Sequence, residues 1–194
     1  MQNTQMPGSP TRYALDLDDV IAFPDIAHVP VLPPQEKESW YILTEIVSNE
    51  SVFRPVFRVE DKLSGNYWVV AFYTDNPVAD AKDCEVGHMI CIKNGMPKQF
   101  ADGQHGYRIE DPSNIVILPC GLAKLRQLNA ELHKRSDDGL LSSCVVCNSR
   151  VRKGCGKCKT RYCSKECQKA NWPRHKPICK VLKTLHEWNR TDWG

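Results

Sequence analysis

Residues 144–179 read CVVCNSRVRKGCGKCKTRYCSKECQKANWPRHKPIC, and their spacing decides how the back of this chain folds. Seven cysteines and one histidine follow the pattern C-x2-C-x7-C-x2-C-x4-C-x3-C-x7-H-x3-C. Eight donors in four close pairs suit two tetrahedral zinc ions, one held by four cysteines and one by three cysteines and a histidine. In Cys144–Cys147 and Cys155–Cys158 a tight turn brings two thiolates to one ion. Gly154 and Gly156 flank Cys155, where such a turn is expected to need permissive backbone. Cys163 and Cys167, like His175 and Cys179, are spaced i, i+4, so a helical turn presents both members of each pair on one face. A segment of 36 residues buries too little apolar surface to fold alone, and the metal supplies the stability. The competing reading is a disulfide knot, but in a reducing compartment so dense a cluster reads as metal ligands. Spacing leaves open which pairs share an ion, since sequential and interleaved pairings are both sterically conceivable.

The complete spacing, with Tyr162-Cys163-Ser164-Lys165-Glu166-Cys167-Gln168 and with Trp172 ahead of His175 and Cys179, resembles a MYND-type zinc finger over its whole length. RING and PHD fingers also hold two zinc ions, with other spacings and histidine positions; the HIT-type finger is nearer, and Gln168 with Trp172 favours MYND. The resemblance implies interleaved pairing: Cys144, Cys147, Cys163 and Cys167 on one ion, Cys155, Cys158, His175 and Cys179 on the other. It also implies a protein-interaction module for short proline-containing peptides of the Pro-x-Leu-x-Pro type, with Gln168 and Trp172 at peptide-contacting positions. Trp172 offers a flat face to proline rings and Gln168 an amide to an extended backbone; packing over the metal site is the other role open to Trp172. Gly156 stands where some relatives carry a small polar side chain. Some proteins with such fingers are lysine methyltransferases, but these need a SET domain far longer than residues 38–135. No enzyme is expected.

Charge divides the chain at the same place. From Cys144 to Gly194 there are 13 Lys/Arg against 3 Asp/Glu, a net +10, while residues 1–143 carry 13 against 20, a net −7. Two zinc ions and seven thiolates bring the back end to about +7. The cations surround the ligands and leave little surface for a helix that reads a DNA groove, so nucleic-acid binding by the finger is disfavoured.

Ahead of the finger the pattern is that of strands. WYILTEIV, SVFRPVFRVE and NYWVVAFYTD, from Trp40 onward, are rich in β-branched and aromatic residues and separated by turn signals. NPVADAKDCE interrupts, and GHMICIKN and GYRIEDPSNIVILP follow. Five strands, as a meander of three, a break and a pair, predict a small OB-type barrel over residues 38–135 and an α+β protein overall. The stretch from Val86 to Pro119 resembles the last two strands of replication-protein-A-like OB-folds, and also the front halves of short fungal MYND proteins. The barrel is thus the alternative candidate for function, as a binder of single-stranded nucleic acid through Trp68, Phe72, Tyr73 or Phe100. Its 7 Lys/Arg against 11 Asp/Glu from Trp40 to Pro119 oppose a phosphate backbone and favour a scaffold. Leu122, Leu125, Leu128 and Leu132 are spaced for a helix that Gly139 stops. Residues 136–143 read as a linker and 180–194 as a helical tail. Cys84, Cys91 and Cys120 read as core residues, and His28, His88, His105, His133 and His186 have no identifiable partner.

Residues 1–37 read as extended or disordered. Within them HVPVLPPQ (28–35) spells Pro30-Val31-Leu32-Pro33-Pro34, a candidate ligand for the chain's own finger. The alternative is an entry segment whose Val31 and Leu32 pack on the barrel. No apolar run approaches the ~20 residues of a membrane helix, and the N-terminus lacks a basic region followed by an apolar core. The sequence predicts no membrane partner and a nuclear or cytoplasmic address.

Overall fold

The computed structural model describes residues 12–151 and 153–193. Two compact units are present: Asp16–Arg126 with the residues from Thr191, and Gln127–Arg190 with the residues up to Leu15.

In the first unit, β1 (Tyr41–Asn49), β2 (Val56–Asp61) and β3 (Tyr67–Phe72) form an antiparallel meander. A single helical turn, α1 (Pro77–Asp80), is capped by the side chain of Asn76. β4 (Met89–Lys93) returns to pair antiparallel with β1, and β5 (Pro97–Gln99), β6 (His105–Ile109) and β7 (Ile115–Leu118) complete the order β5-β6-β3-β2-β1-β4-β7. β6 and β7 lie five inter-strand steps apart in that order, about 24 Å if the sheet were flat. Yet only Glu110–Asn114 join them, and Pro112–Asn114 of that link form a 3-10 turn capped by Asp111. Such a link reaches roughly 16 Å. The sheet must therefore curl strongly to bring β6 and β7 within that reach, as a barrel does. β1 pairs with both β2 and β4, and β3 pairs in parallel with β6, so the barrel has OB-type connectivity.

Alternation along the strands sends Ile42, Ile46, Phe57, Val59, Val70, Phe72, Ile90, Ile92, Tyr107 and Ile109 into one core with Trp40. Each such side chain contributes roughly 1.5–3 kcal/mol on burial. The strand count differs from the expected five for two reasons. GYRIEDPSNIVILP breaks at Pro112, which has no N–H to offer a ladder, and Pro97–Gln99 adds a short edge strand. SVFRPVFRVE is a strand only from Val56; Val52 and Phe53 stand exposed in the β1–β2 loop. Cys91 and Cys120 are buried and Cys84 packs on the core.

Of the segment read as extended or disordered, residues 1–11 lie outside the described residues. From Arg12 to Ser39 there is no helix or strand, but the chain is anchored. The buried ammonium of Lys62 donates to the carbonyls of Leu17 and Phe23. Buried Asp61 accepts from the N–H of Ile26, and buried Asp25 from His28 Nδ1 at 2.7 Å. Buried charges need such partners; those of Asp61 and Lys62 tie the irregular segment to the end of β2, while Asp25–His28 holds a turn within it. The expectation that Val31 and Leu32 pack on the barrel is not met: they are 78% and 72% exposed, and Val29 packs on the core instead.

The helix α2 (Leu122–Asp137) starts where Glu45 accepts the N–H of Leu122 at 2.7 Å. It ends at Gly139, whose φ of +68° only glycine adopts freely. The N–H of Gly139 bonds to Ser136 O and that of Leu140 to Arg135 O, which is the Schellman pattern. Leu125, Leu128 and Leu132 are buried as their spacing predicts. The units part within α2, at Gln127, rather than in residues 136–143, because Tyr13, Leu128, Leu132, Leu182 and Leu185 bury themselves in the second unit. Tyr13 there bonds Ser136 through its N–H and Asn129 through its hydroxyl, and His133, partnerless in the sequence, meets Leu15 O at 2.7 Å. The helical tail expected after Cys179 is the last part, residues 180–188, of one 24-residue helix, α3 (Lys165–Trp188). It runs through Pro173 and Pro177, each costing about 3 kcal/mol in a helix interior. Burial of Val181, Leu182, Leu185 and Trp188, and the joining of His175 and Cys179 to one cluster, offset that cost. Among the described residues no helix is long and apolar enough to cross a membrane.

Candidate metal centre

The finger begins with two copies of one turn. In the first, the N–H of Asn148 bonds Cys144 O at 2.9 Å and the N–H of Cys144 bonds Ser149 O at 2.8 Å. In the second, the N–H of Lys159 bonds Cys155 O at 2.9 Å and that of Cys155 bonds Thr160 O at 2.8 Å. The residue after each second cysteine takes the left-handed conformation, Asn148 at φ +58° and Lys159 at φ +65°. The glycines around Cys155 therefore have other roles than the one expected of them. Gly154 is required for space, since a Cβ there would lie 2.7 Å from Thr160 O and 2.9 Å from Lys159 O; Gly156 meets open surroundings. The α3 helix supplies the other half. Ser164 caps it by accepting the N–H of Cys167, so Cys163 sits just before the helix rather than in it, while His175 and Cys179 share a face one turn apart.

These elements bring the eight residues into two groups, Cys144, Cys147, Cys163 and Cys167, and Cys155, Cys158, His175 and Cys179, with the donor atoms of each group within 4.8 Å of one another. In the first, Cys147–Cys163 and Cys163–Cys167 sulfurs lie 3.4 and 3.3 Å apart. In the second, Cys155 and Cys179 sulfurs are 3.8 Å apart and Cys158 Sγ lies 3.6 Å from His175 Nε2. Tetrahedral zinc with bonds near 2.3 Å places its sulfurs about 3.8 Å apart, so four-thiolate and three-thiolate-one-imidazole sets at these separations fit two zinc ions. The ions would lock three segments together and so hold the finger folded.

Local electrostatics divide the thiols, lowering Cys144, Cys147 and Cys155 and raising Cys158, Cys163, Cys167 and Cys179. Burial pushes the Cys144 thiol up, but donation from the N–H groups of Cys147, Val146 and Cys163 outweighs it and brings the thiol down to about 6. Cys155 is lowered too, burial being opposed by the N–H groups of Cys158 and Lys157. Cys163 goes up to about 12 because its thiol bonds to Cys167 and then Cys147, and Cys179 to about 12 through burial and the charge of Cys158. Burial holds His175 neutral, the form that ligates metal.

Around His175 stand residues that motif reading did not single out for support. Tyr162 is buried, its ring edge-on to His175 at 5.9 Å, and its hydroxyl accepts from Asn171 at 2.9 Å. Tyr162 was visible only as the first residue of the quoted motif, beside Cys163; Asn171, four residues from both Cys167 and His175, carried no signal. Among the described residues buried His175 Nδ1 has no hydrogen-bond partner, and the rings of Tyr162 and Trp172 pack against the imidazole. Trp172 lies 5.8 Å from His175, tilted 39°, and is still 45% exposed. Gln168, one helical turn before it, is half-buried on the same side of α3.

Fold and site together define a two-zinc, cross-braced finger accompanying an OB-type barrel. Residues 144–179 match the model of the MYND finger, and this segment is a MYND zinc finger. Dauer abnormal formation protein 25 of Caenorhabditis elegans is 50% identical over 50 residues, which are 25% of this chain and 13% of that protein. The zinc finger MYND domain-containing protein 10 homolog of Drosophila melanogaster is 44% identical over 111 residues, 47% of this chain and 24% of its own. The chain thus spans about a quarter or less of these relatives. Among solved structures, Schizosaccharomyces pombe Pot1pC bound to single-stranded DNA is 11% identical, covering 55% of this chain and 94% of its own at a TM-score of 0.36.

Proposed function

We propose that this protein is a non-enzymatic, zinc-dependent interaction adaptor of the nucleus or cytoplasm, acting in transcriptional regulation, whose finger docks short proline-containing peptides of the Pro-x-Leu-x-Pro type. The observation that carries the reading is the half-exposed indole of Trp172 beside the zinc ligand His175, with the Gln168 amide one turn away on the same helix. An exposed aromatic face is suited to proline rings and an amide to an extended backbone, and a polyproline-like ligand loses little entropy on docking. Zinc's part is to hold α3 and the two turns in register.

Residues 30–34 are a candidate ligand in the same chain, since the side chains of Val31 and Leu32 are exposed. The test titrates the zinc-loaded chain with an external Pro-x-Leu-x-Pro peptide, beside a Leu32→Ala/Pro34→Ala variant. Binding by both, tighter in the variant, supports docking with self-occupancy. Equal affinity restricts the ligand to other proteins, and no binding by either removes the reading.

A second reading, single-stranded nucleic-acid binding by the barrel, rests on one surface feature. The guanidinium groups of Arg54 and Arg108 both stack on Tyr73, at 3.9 and 4.2 Å, and Phe53 nearby in sequence is fully exposed. Bases stack on such groups. Titration with a labelled oligonucleotide at two salt concentrations decides it, since phosphate contacts weaken as salt rises.

A further inference from the structure

The second unit contains a cleft of about 720 Å³ that the peptide reading leaves unexplained and whose lining shares only His175 with the metal centre. Its walls come from α2, from the linker and the first finger turns at residues 141–145 and 159–161, from Tyr13, and from the side of α3 that carries Asn171, Arg174, Ile178 and Leu182. Gln168 and Trp172 are not among its lining residues. The volume falls within the roughly 300–1,000 Å³ of small-molecule sites. Its charge is lopsided. Six cations, Lys134, Arg135, Lys159, Arg161, Arg174 and Arg190, line it; Arg174 faces the Glu131 carboxylate at 3.2 Å, Lys134 pairs with Asp138 at 3.1 Å, and Arg135 donates to the carbonyls of Leu140 and Ser143. Apolar wall is present beside them, from Ile178, Leu141 and Val145.

We infer that this cleft binds a phosphorylated small molecule of nucleotide size, its phosphates held at Arg161 and Arg190 and its less polar body laid against the Ile178–Val145 wall. A phosphate anion suits the basic wall that Lys159, Arg161 and Arg190 form, and guanidinium groups grip phosphate oxygens bidentately. Arg161, Arg190 and His186 all line this cleft, and burial, then the charges of the two arginines, hold that imidazole below its ordinary value. Asn171 and Thr160 supply neutral donors along the same walls. The inference is independent of peptide docking, because its residues and its ligand are different.

Calorimetric titration of the full zinc-loaded chain tests it, with adenosine diphosphate, inorganic pyrophosphate, adenosine and hexaglutamate as probes and zinc content measured after each run. Adenosine diphosphate is expected to bind, pyrophosphate more weakly, and adenosine not at all. Arg190→Glu combined with Arg161→Gln should weaken binding at least tenfold with zinc content unchanged. Lys98→Glu, an exposed change in the barrel, should leave affinity within twofold. If neither phosphate compound binds at millimolar concentration, the inference fails. Equal weakening by Lys98→Glu also overturns it, since the attraction would then be unspecific. So does tighter binding of hexaglutamate, which would make the occupant an acidic peptide.

Discussion

Replacing Trp172 with alanine separates its two roles, because the structure shows how much of the indole is left for a ligand. The side chain is 45% exposed, and with about 250 Å² available to a tryptophan that is roughly 110 Å² of mostly apolar surface. Covered by a peptide at about 25 cal/mol per Å², it contributes about 3 kcal/mol, near a hundredfold in affinity. Ordering of the peptide offsets part of this, so a loss of at least tenfold is expected. The assay is calorimetric titration of a Pro-x-Leu-x-Pro peptide into wild-type, Trp172→Ala and Trp172→Phe chains, with zinc measured in each. Trp172→Phe should keep most of the affinity, since a flat ring remains. The packed part of the indole lies over His175, so Trp172→Ala should loosen the second zinc without expelling it. A change of less than twofold with two zinc ions retained refutes the docking role. Loss of one ion together with the binding would make Trp172 a packing residue only.

Two equivalents of zinc are expected by atomic absorption, and Cys144→Ala should release one and unfold the finger while the β-sheet signal persists; a wild-type stoichiometry of one refutes the two-ion model. Gly106→Ala should open the barrel, because a Cβ there would overlap the carbonyl of Val69, its partner on β3. Losing the first bonds of the β3–β6 ladder costs about 3 kcal/mol, readable in urea unfolding, and a change under 1 kcal/mol would show that the closure is wrongly drawn. His186 is held below its ordinary value by burial and then by Arg190 and Arg161, so the unfolded chain takes up a proton more readily. Its contribution to stability is intact above about pH 6.5 and is lost as pH falls below that value. The stability of wild type minus that of His186→Leu should therefore drop between pH 7.5 and 5, and a constant difference refutes this.

All eight ligands of the finger can be read from the chain alone, because a zinc site draws its donors in close pairs and each pair is a local object: a turn such as Cys144–Cys147, or one helical step such as His175–Cys179. The leucines of α2 and the stop at Gly139 are local in the same sense. Which pairs meet is not local. Only the path of the chain places Cys163 and Cys167 beside Cys144 and Cys147, and α3 brings His175 and Cys179 back to Cys155 and Cys158. The left-handed turns at Asn148 and Lys159 carry no glycine to announce them, since the hydrogen bonds of each turn impose that conformation on the residue in place. In the barrel, strand character was legible from the β-branched and aromatic runs. The break between β6 and β7 was legible in Pro112, but the close passage of Gly106 against Val69 follows from closing the sheet. The anchoring of residues 16–26 by Lys62 and Asp61 escaped the pattern of the sequence for a related reason. A charged pair beside an irregular segment looks solvated until folding buries it, and whether it does depends on partners some 35 to 45 residues away along the chain.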